Sequence, residues 1–186
     1  MTRRLFGFVG GETGAWRVTE INTVVGVSLA DVKRIHICEG EALLPPGASW
    51  LLRGITSNDR YVMRDEKELL VARQPGLGRP EANCAALIPI RKNAAWWNLP
   101  QDERRKVIEE QSRHIEIGLQ YLPAIARRLH HCRDLGENEP FDFLTWFEFT
   151  PANETAFNTL LSELRASAEW RFVDREIDIR LAREAV

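Results

Sequence analysis

Three kinds of side chain in this sequence could do chemistry: a lone histidine in a helical stretch, a doubled arginine in an alternating stretch, and a doubled tryptophan beside two cations. His114 lies near the C-terminal end of a helix expected from about Pro100 through Leu119, one turn before Gly118 on the same face. The glycine removes side-chain bulk there, so a flat ligand could lie against that face. A solvent-exposed or structurally satisfied histidine fits the position as well, since histidine is intermediate in burial. Arg127 and Arg128 fall in the stretch Ala124–Leu129, where strand neighbours point to opposite faces and one arginine can point inward. An inward guanidinium with no carboxylate partner is costly unless an anion binds beside it; otherwise both are ordinary surface charges. Trp96 and Trp97 follow Arg91 and Lys92, a cluster that could wall a planar cofactor and neutralise carboxylates at its edge, or simply form core or interface.

Other chemistries are disfavoured. His130, His131 and Cys132 are adjacent in a strand, so they face alternate ways, and no second ligand pair follows at zinc-site spacing. The charges of Asp174, Arg175, Glu176, Asp178 and Arg180 read as one salt-bridged strand face, not as paired catalytic carboxylates. Dinucleotide, Walker and Gly-x-Ser-x-Gly motifs are missing. A formal net charge of −2 with 28% charged residues gives no overall pull toward nucleic acid or an anionic membrane. No run approaches the ~20 apolar residues of a membrane span. With Cys38, Cys84 and Cys132 odd in number and widely spaced, reduced thiols and a cytoplasmic location are expected.

These residues need elements to hold them. The first third reads as strands at Leu5–Val9, Trp16–Val25 and Trp50–Thr56, with Asp31–Gly40 ambiguous. A helix is expected from Asp59 to about Ala72, capped by Ser57, Asn58 or Asp59 and ended by Pro75-Gly76. The second part reads as strand Asn83–Ile90, helix Pro100–Leu119, strand Ala124–Cys132, strand Phe141–Phe149, helix Asn153–Ala166 and strand Trp170–Leu181. That β-α-β-β-α-β order predicts an α+β, ferredoxin-like domain over residues 79–186, preceded by a reduced α+β unit over 1–78, itself a truncated ferredoxin-like unit. Phe141–Phe149 carries bulky apolar groups on both sides, so a second sheet or a second subunit should cover the other face, as in a paired-sheet barrel.

From Gly76 onward the chain resembles the chlorite dismutase family of haem proteins, in particular its short-chain, dimeric lineage with a reduced N-terminal domain. The resemblance rests on Leu77–Ala82 (LGRPEA), Ala85–Trp97 (AALIPIRKNAAWW), Tyr121–Arg127 (YLPAIAR), Phe141–Glu148 (FDFLTWFE) and Val173–Leu181 (VDREIDIRL). It implies a dimeric α+β barrel fold and a haem b (iron protoporphyrin IX) cofactor. Carried over position by position, the proximal iron ligand falls on His114, the distal arginine on Arg127 and a distal glutamine on Gln74. The carboxylate partner of the proximal histidine falls on Glu169, with Glu163 a nearby competitor, and Lys92, Trp96, Trp97 and Tyr61 fall on pocket positions.

The activity implied is haem-dependent decomposition of chlorite to chloride and dioxygen, in a homodimer. The distal arginine separates chlorite-decomposing members from relatives that process coproporphyrin haem. The alternatives are a peroxide-dependent enzyme of the same superfamily, either a coproporphyrin haem decarboxylase or peroxidase-like, and a non-catalytic haem-binding stress protein. Oxygen-electrode traces with chlorite separate the three.

Overall fold

The computed structural model describes residues 4–41, 43–58 and 60–183. Eight strands are present: β1 (Leu5–Gly11), β2 (Trp16–Val25), β3 (Arg34–Glu39), β4 (Trp50–Thr56), β5 (Cys84–Lys92), β6 (Ala126–His131), β7 (Phe143–Phe149) and β8 (Val173–Ala182). Helix α1 (Arg64–Arg73) links the two sets of four strands. Between β5 and β6 lie α2 (Ala94–Asn98), α3 (Gln101–Arg105), a π-helical segment (Lys106–Gln111) and α4 (His114–Gln120), while α5 (Glu154–Arg165) and a 3-10 turn (Ala168–Phe172) lie between β7 and β8.

The strands close into one barrel in the order β1-β3-β2-β8-β5-β7-β6-β4. Every pairing is antiparallel. Within each half, the fourth strand lies beside the first, then the third, then the second. The halves meet at a long seam between β2 and β8 and a short one where Ile55 and Thr56 face His131 and His130. The apolar residues on both sides of β7 now have an account: Leu144 and Trp146 enter the barrel with Phe8, Trp16, Leu87 and Ile179. Phe143, Phe147 and Phe149 face outward with Ile88 and Ile90, beneath Phe157, Leu160, Leu161 and Leu164 of α5. The sheet that covers the second face is thus the chain's own N-terminal half.

Several boundaries differ from those expected. Asp31–Gly40 holds strand β3. Helix α1 begins at Arg64, after Tyr61 takes a left-handed conformation (φ 65°), and the Glu66 carboxylate accepts the Met63 N–H at 2.7 Å. Of the three cap candidates, Asp59 lies outside the described residues. The single helix expected over Pro100–Leu119 is instead broken: the π-helical segment ends at Gln111, Arg113 is left-handed (φ 53°, ψ 34°), and a new helix starts at His114. A hydrophobic pattern does not register one reversed φ, and the reversal falls on an arginine where glycine is the usual marker. His114 therefore occupies the first turn of a short helix, where the Glu109 carboxylate accepts the Ile115 N–H at 2.7 Å. The last strand starts at Val173, because Ala168–Phe172 forms the 3-10 turn. Among the described residues no helix is long and apolar enough to cross a membrane.

Phe157 is fully buried, stacked on Phe149 at 4.5 Å and tilted against Phe147 at 5.0 Å. Phe157→Ala should lower unfolding free energy by about 3–5 kcal/mol in urea titrations. Leu69→Ala, at an exposed position, should stay within about 0.5 kcal/mol.

Candidate functional site

Between the outer face of β5, β6 and β7 and the helices α4 and α5 lies a cavity of about 1140 Å³ including its open mouth. The sheet wall carries Ile88, Phe143, Phe147 and Arg127, and the helix wall carries His114, Gly118, Leu160 and Leu164. The walls are mostly apolar with a few polar groups, the usual make-up of a small-molecule site. Gly118 sits one turn after His114, and a Cβ placed on it would meet nothing within 4 Å. Open space therefore lies over the glycine, beside the histidine.

His114 Nδ1 lies 2.7 Å from Glu169 Oε2. An ionised carboxylate can only accept, so Nδ1 carries a proton, and in the neutral imidazole Nε2 keeps its lone pair. Glu169 is buried, and its other oxygen accepts from Lys92 Nζ at 2.7 Å. Burial pushes the Glu169 carboxyl pKa up, but the Lys92 ammonium and the His114 imidazole more than offset it and hold the group well below the usual carboxylate range. The Glu169 backbone N–H donates to Ser112 Oγ at 2.8 Å. Lys92 is placed by β5, its own N–H donating to Asp142 Oδ2 at 2.7 Å, and its ammonium lies 4.7 Å from the Trp96 ring centre. Glu163 instead accepts from Tyr121 Oη at 3.0 Å, so Glu169 is the carboxylate that reaches His114.

The doubled arginine divides as a strand requires. Arg128 turns into the barrel, its guanidinium 3.6 Å from the Phe6 ring centre and its Nε donating to His130 Nε2 at 3.0 Å. Arg127 turns to the cavity. Burial lowers its pKa, yet a guanidinium stays charged in proteins. Among the described residues no carboxylate pairs with it. Gln74 does not line this cavity; its Nε2 donates to the Arg127 backbone carbonyl at 2.6 Å, which holds the strand and leaves the guanidinium unengaged. His114 and Arg127 thus stand on opposite walls of one cavity.

Trp96 and Tyr61 line the cavity edge-on to each other at 6.1 Å. The Asn93 side chain caps α2 by accepting the Trp96 N–H at 3.1 Å, which sets the indole's position. Trp96 Nε1 and Tyr61 Oη are buried with no hydrogen-bond partner. Such orphaned donors are costly unless a ligand accepts from them. Trp97 lies outside the cavity lining: it stacks on Phe143 at 6.1 Å and donates to Asp142 at 3.2 Å. Sequence reasoning missed Asn58, Arg60 and Trp170, which line the cavity, and Ser112 behind it. Asn58 follows a strand end and reads in the sequence only as a helix-cap candidate; Arg60, Trp170 and Ser112 carry no spacing signal. A lone-pair nitrogen, an unpaired cation on the facing wall, two orphaned donors and a vacant patch over glycine together fit a planar, metal-bearing ligand with acidic edge groups.

Residues 48–185 match the family model described as chlorite dismutase. The chlorite dismutase of Ideonella dechloratans is 32% identical over 123 residues, covering 65% of this chain and 40% of that protein. The chain thus spans less than half the length of that curated relative. The crystal structure of a dimeric chlorite dismutase from Nitrobacter winogradskyi is similar with a TM-score of 0.88 and 51% identity, over 96% of this chain and 99% of that one. A chlorite dismutase from Candidatus Nitrospira defluvii in complex with imidazole shares the fold at a TM-score of 0.64 and 19% identity, over 98% and 92% of the two chains. With three quarters of its length inside the family model and a half-identical relative of the same size and shape, this chain belongs to the chlorite dismutase family.

Proposed function

We propose that this chain binds haem b through His114 Nε2 and decomposes chlorite to chloride and dioxygen, acting as a homodimer as its Nitrobacter winogradskyi relative does. The observation that carries the reading is the facing pair: a carboxylate-backed imidazole on the helix wall and an unpaired guanidinium on the sheet wall. Haem held there would supply a redox-active iron. Glu169 accepts the His114 Nδ1 proton and so raises the basicity of the ligating nitrogen, which lowers the potential of a metal bound there. Trp96 Nε1 and Tyr61 Oη, both buried without a hydrogen-bond partner in the cavity lining, would donate to the cofactor's carboxylates.

Arg127 would supply a fixed positive charge that draws chlorite into the cavity and keeps chlorine oxyanions there. Gln74 steadies the strand beneath it. Chlorite, ClO₂⁻, goes to Cl⁻ and O₂ with atoms and charge balanced and no net proton. A pocket that presents a permanent cation suits that balance. The two barrel halves are read as ferredoxin-like units, a reduced one over residues 1–78 and the haem-binding one over 79–186, because each repeats the same internal strand order.

Titration with hemin should give a Soret band at one equivalent, and chlorite added to that protein should evolve oxygen. His114→Ala should lose the Soret band. Arg127→Ala should keep it while oxygen evolution falls about 100-fold or more; unchanged oxygen evolution sinks the role given to Arg127. Acid should also discriminate. A carboxyl whose folded pKa is depressed adds stability above its unfolded value, near 4.5, and loses it as pH falls from there. Unfolding free energy should therefore drop more steeply below about pH 4.5 in the wild type than in Glu169→Gln, as read by urea titration at successive pH values.

A further inference from the structure

Glu176 is a fully buried carboxylate on the outward face of β8, beneath α5 and among apolar residues. Burying an ion there is costly unless something requires it. Its two oxygens do different things. Oε1 accepts from Arg165 Nε and Nη2 at 2.8 and 2.7 Å, and Oε2 accepts from the Trp170 indole N–H at 2.7 Å. Asp178, two residues on and also buried, pairs with the same Arg165 at 3.0 Å and with Arg180 at 2.5 Å, and the Trp170 indole donates to Glu176 instead. Charge balance for Arg165 is thus available from Asp178. The Glu176 oxygen that remains is spent on the indole.

Trp170 belongs to the 3-10 turn Ala168–Phe172, immediately after Glu169. Its ring lines the cavity and lies 5.4 Å from the Lys92 ammonium. The backbone of the turn is held elsewhere: Glu169 N–H donates to Ser112 Oγ at 2.8 Å, Ser167 Oγ to the Leu164 carbonyl at 2.6 Å, Trp170 N–H to the Ser167 carbonyl at 3.2 Å, Asn93 N–H to the Phe172 carbonyl at 2.8 Å and Asn93 Nδ2 to the Arg171 carbonyl at 3.4 Å. None of these holds the Trp170 side chain, whose indole N–H is engaged by Glu176. We propose that Glu176 is a positioning residue: by holding the Trp170 indole it fixes the turn that presents Glu169 to His114, and so sets how strongly the imidazole ligates. The importance for iron rests on the haem reading above, whereas the mechanical claim concerns only side chains of this chain.

Two measurements keep those apart. In the cofactor-free protein, the His114 Nδ1–H proton should exchange with solvent at least several-fold faster in Glu176→Ala and in Trp170→Phe than in the wild type, read by nitrogen-resolved NMR. In the hemin-loaded protein, both variants should move the iron midpoint potential upward, because a loosened Nδ1–H···carboxylate bond leaves a less basic ligand. Glu176→Gln, which keeps an oxygen for the indole, should recover most of both readouts. Asp178→Asn should lower the melting temperature and leave both unchanged. The effect of Glu176→Ala on exchange should vanish in a Trp170→Phe background. Wild-type exchange and potential in a folded Trp170→Phe protein would overturn the proposal, as would an equal shift in Asp178→Asn. Lack of a Soret band in the wild type would instead defeat the haem reading and leave the exchange test standing.

Discussion

The carboxylate of Glu169 lies almost out of reach of water, and the rest of the site is arranged so that it can remain ionised. Its neighbours are the Lys92 ammonium, the His114 imidazole N–H and, on its backbone, Ser112. Each comes from a different segment: Lys92 from β5, His114 and Ser112 from the two sides of the helix break, and Glu169 itself from the turn before β8. Solvation lost on burial is replaced by these partners, and the exchange is favourable only when all are in place. The pairing therefore ties together three stretches of chain far apart in sequence, around Lys92, Ser112–His114 and Glu169, and it fixes which imidazole nitrogen faces the cavity.

The barrel supplies the rigidity this arrangement needs. Strand β7 is shared between two interiors, with Leu144 and Trp146 in the barrel core and Phe143 and Phe147 in the cavity wall. A shift in one layer is felt in the other, because close-packed interiors transmit displacement. The N-terminal half contributes little to the cavity lining beyond the stretch around Asn58, Arg60 and Tyr61. Its larger task is to close the sheet and cover the inner face of the strands that carry the site.

Much of this was legible in the order of residues, and what was not has physical reasons. Runs that are apolar on both faces mark β5 and β7, since one layer faces the barrel and the next the helices. The helix break before His114 is invisible to hydrophobic periodicity: Val107, Ile108 and Ile115 keep a helical spacing while Arg113 reverses the chain between them. Glu169 was reachable only through family resemblance, because the residues around it read as the start of a strand and form a 3-10 turn. Trp97 shows the converse. Its position beside Trp96 suggested a shared wall, yet one turn of helix directs it to Phe143 and Asp142, behind the cavity.

The composition of β6 has one further consequence. Its order Arg127-Arg128-Leu129-His130-His131 is built of like doublets, so sliding the strand by one residue would still place an arginine and a histidine on each face. Side-chain chemistry along the strand therefore says almost nothing about which alignment is correct. The choice has to come from neighbours. On one edge β7 supplies it by continuous pairing; on the other, where β4 reaches only His130 and His131, side-chain amides take over. Gln74 donates to the Arg127 carbonyl and Asn58 accepts the Leu129 N–H at 2.9 Å. These two amides act as a ruler laid along an otherwise ambiguous ribbon, helping to select which member of the arginine doublet lines the cavity.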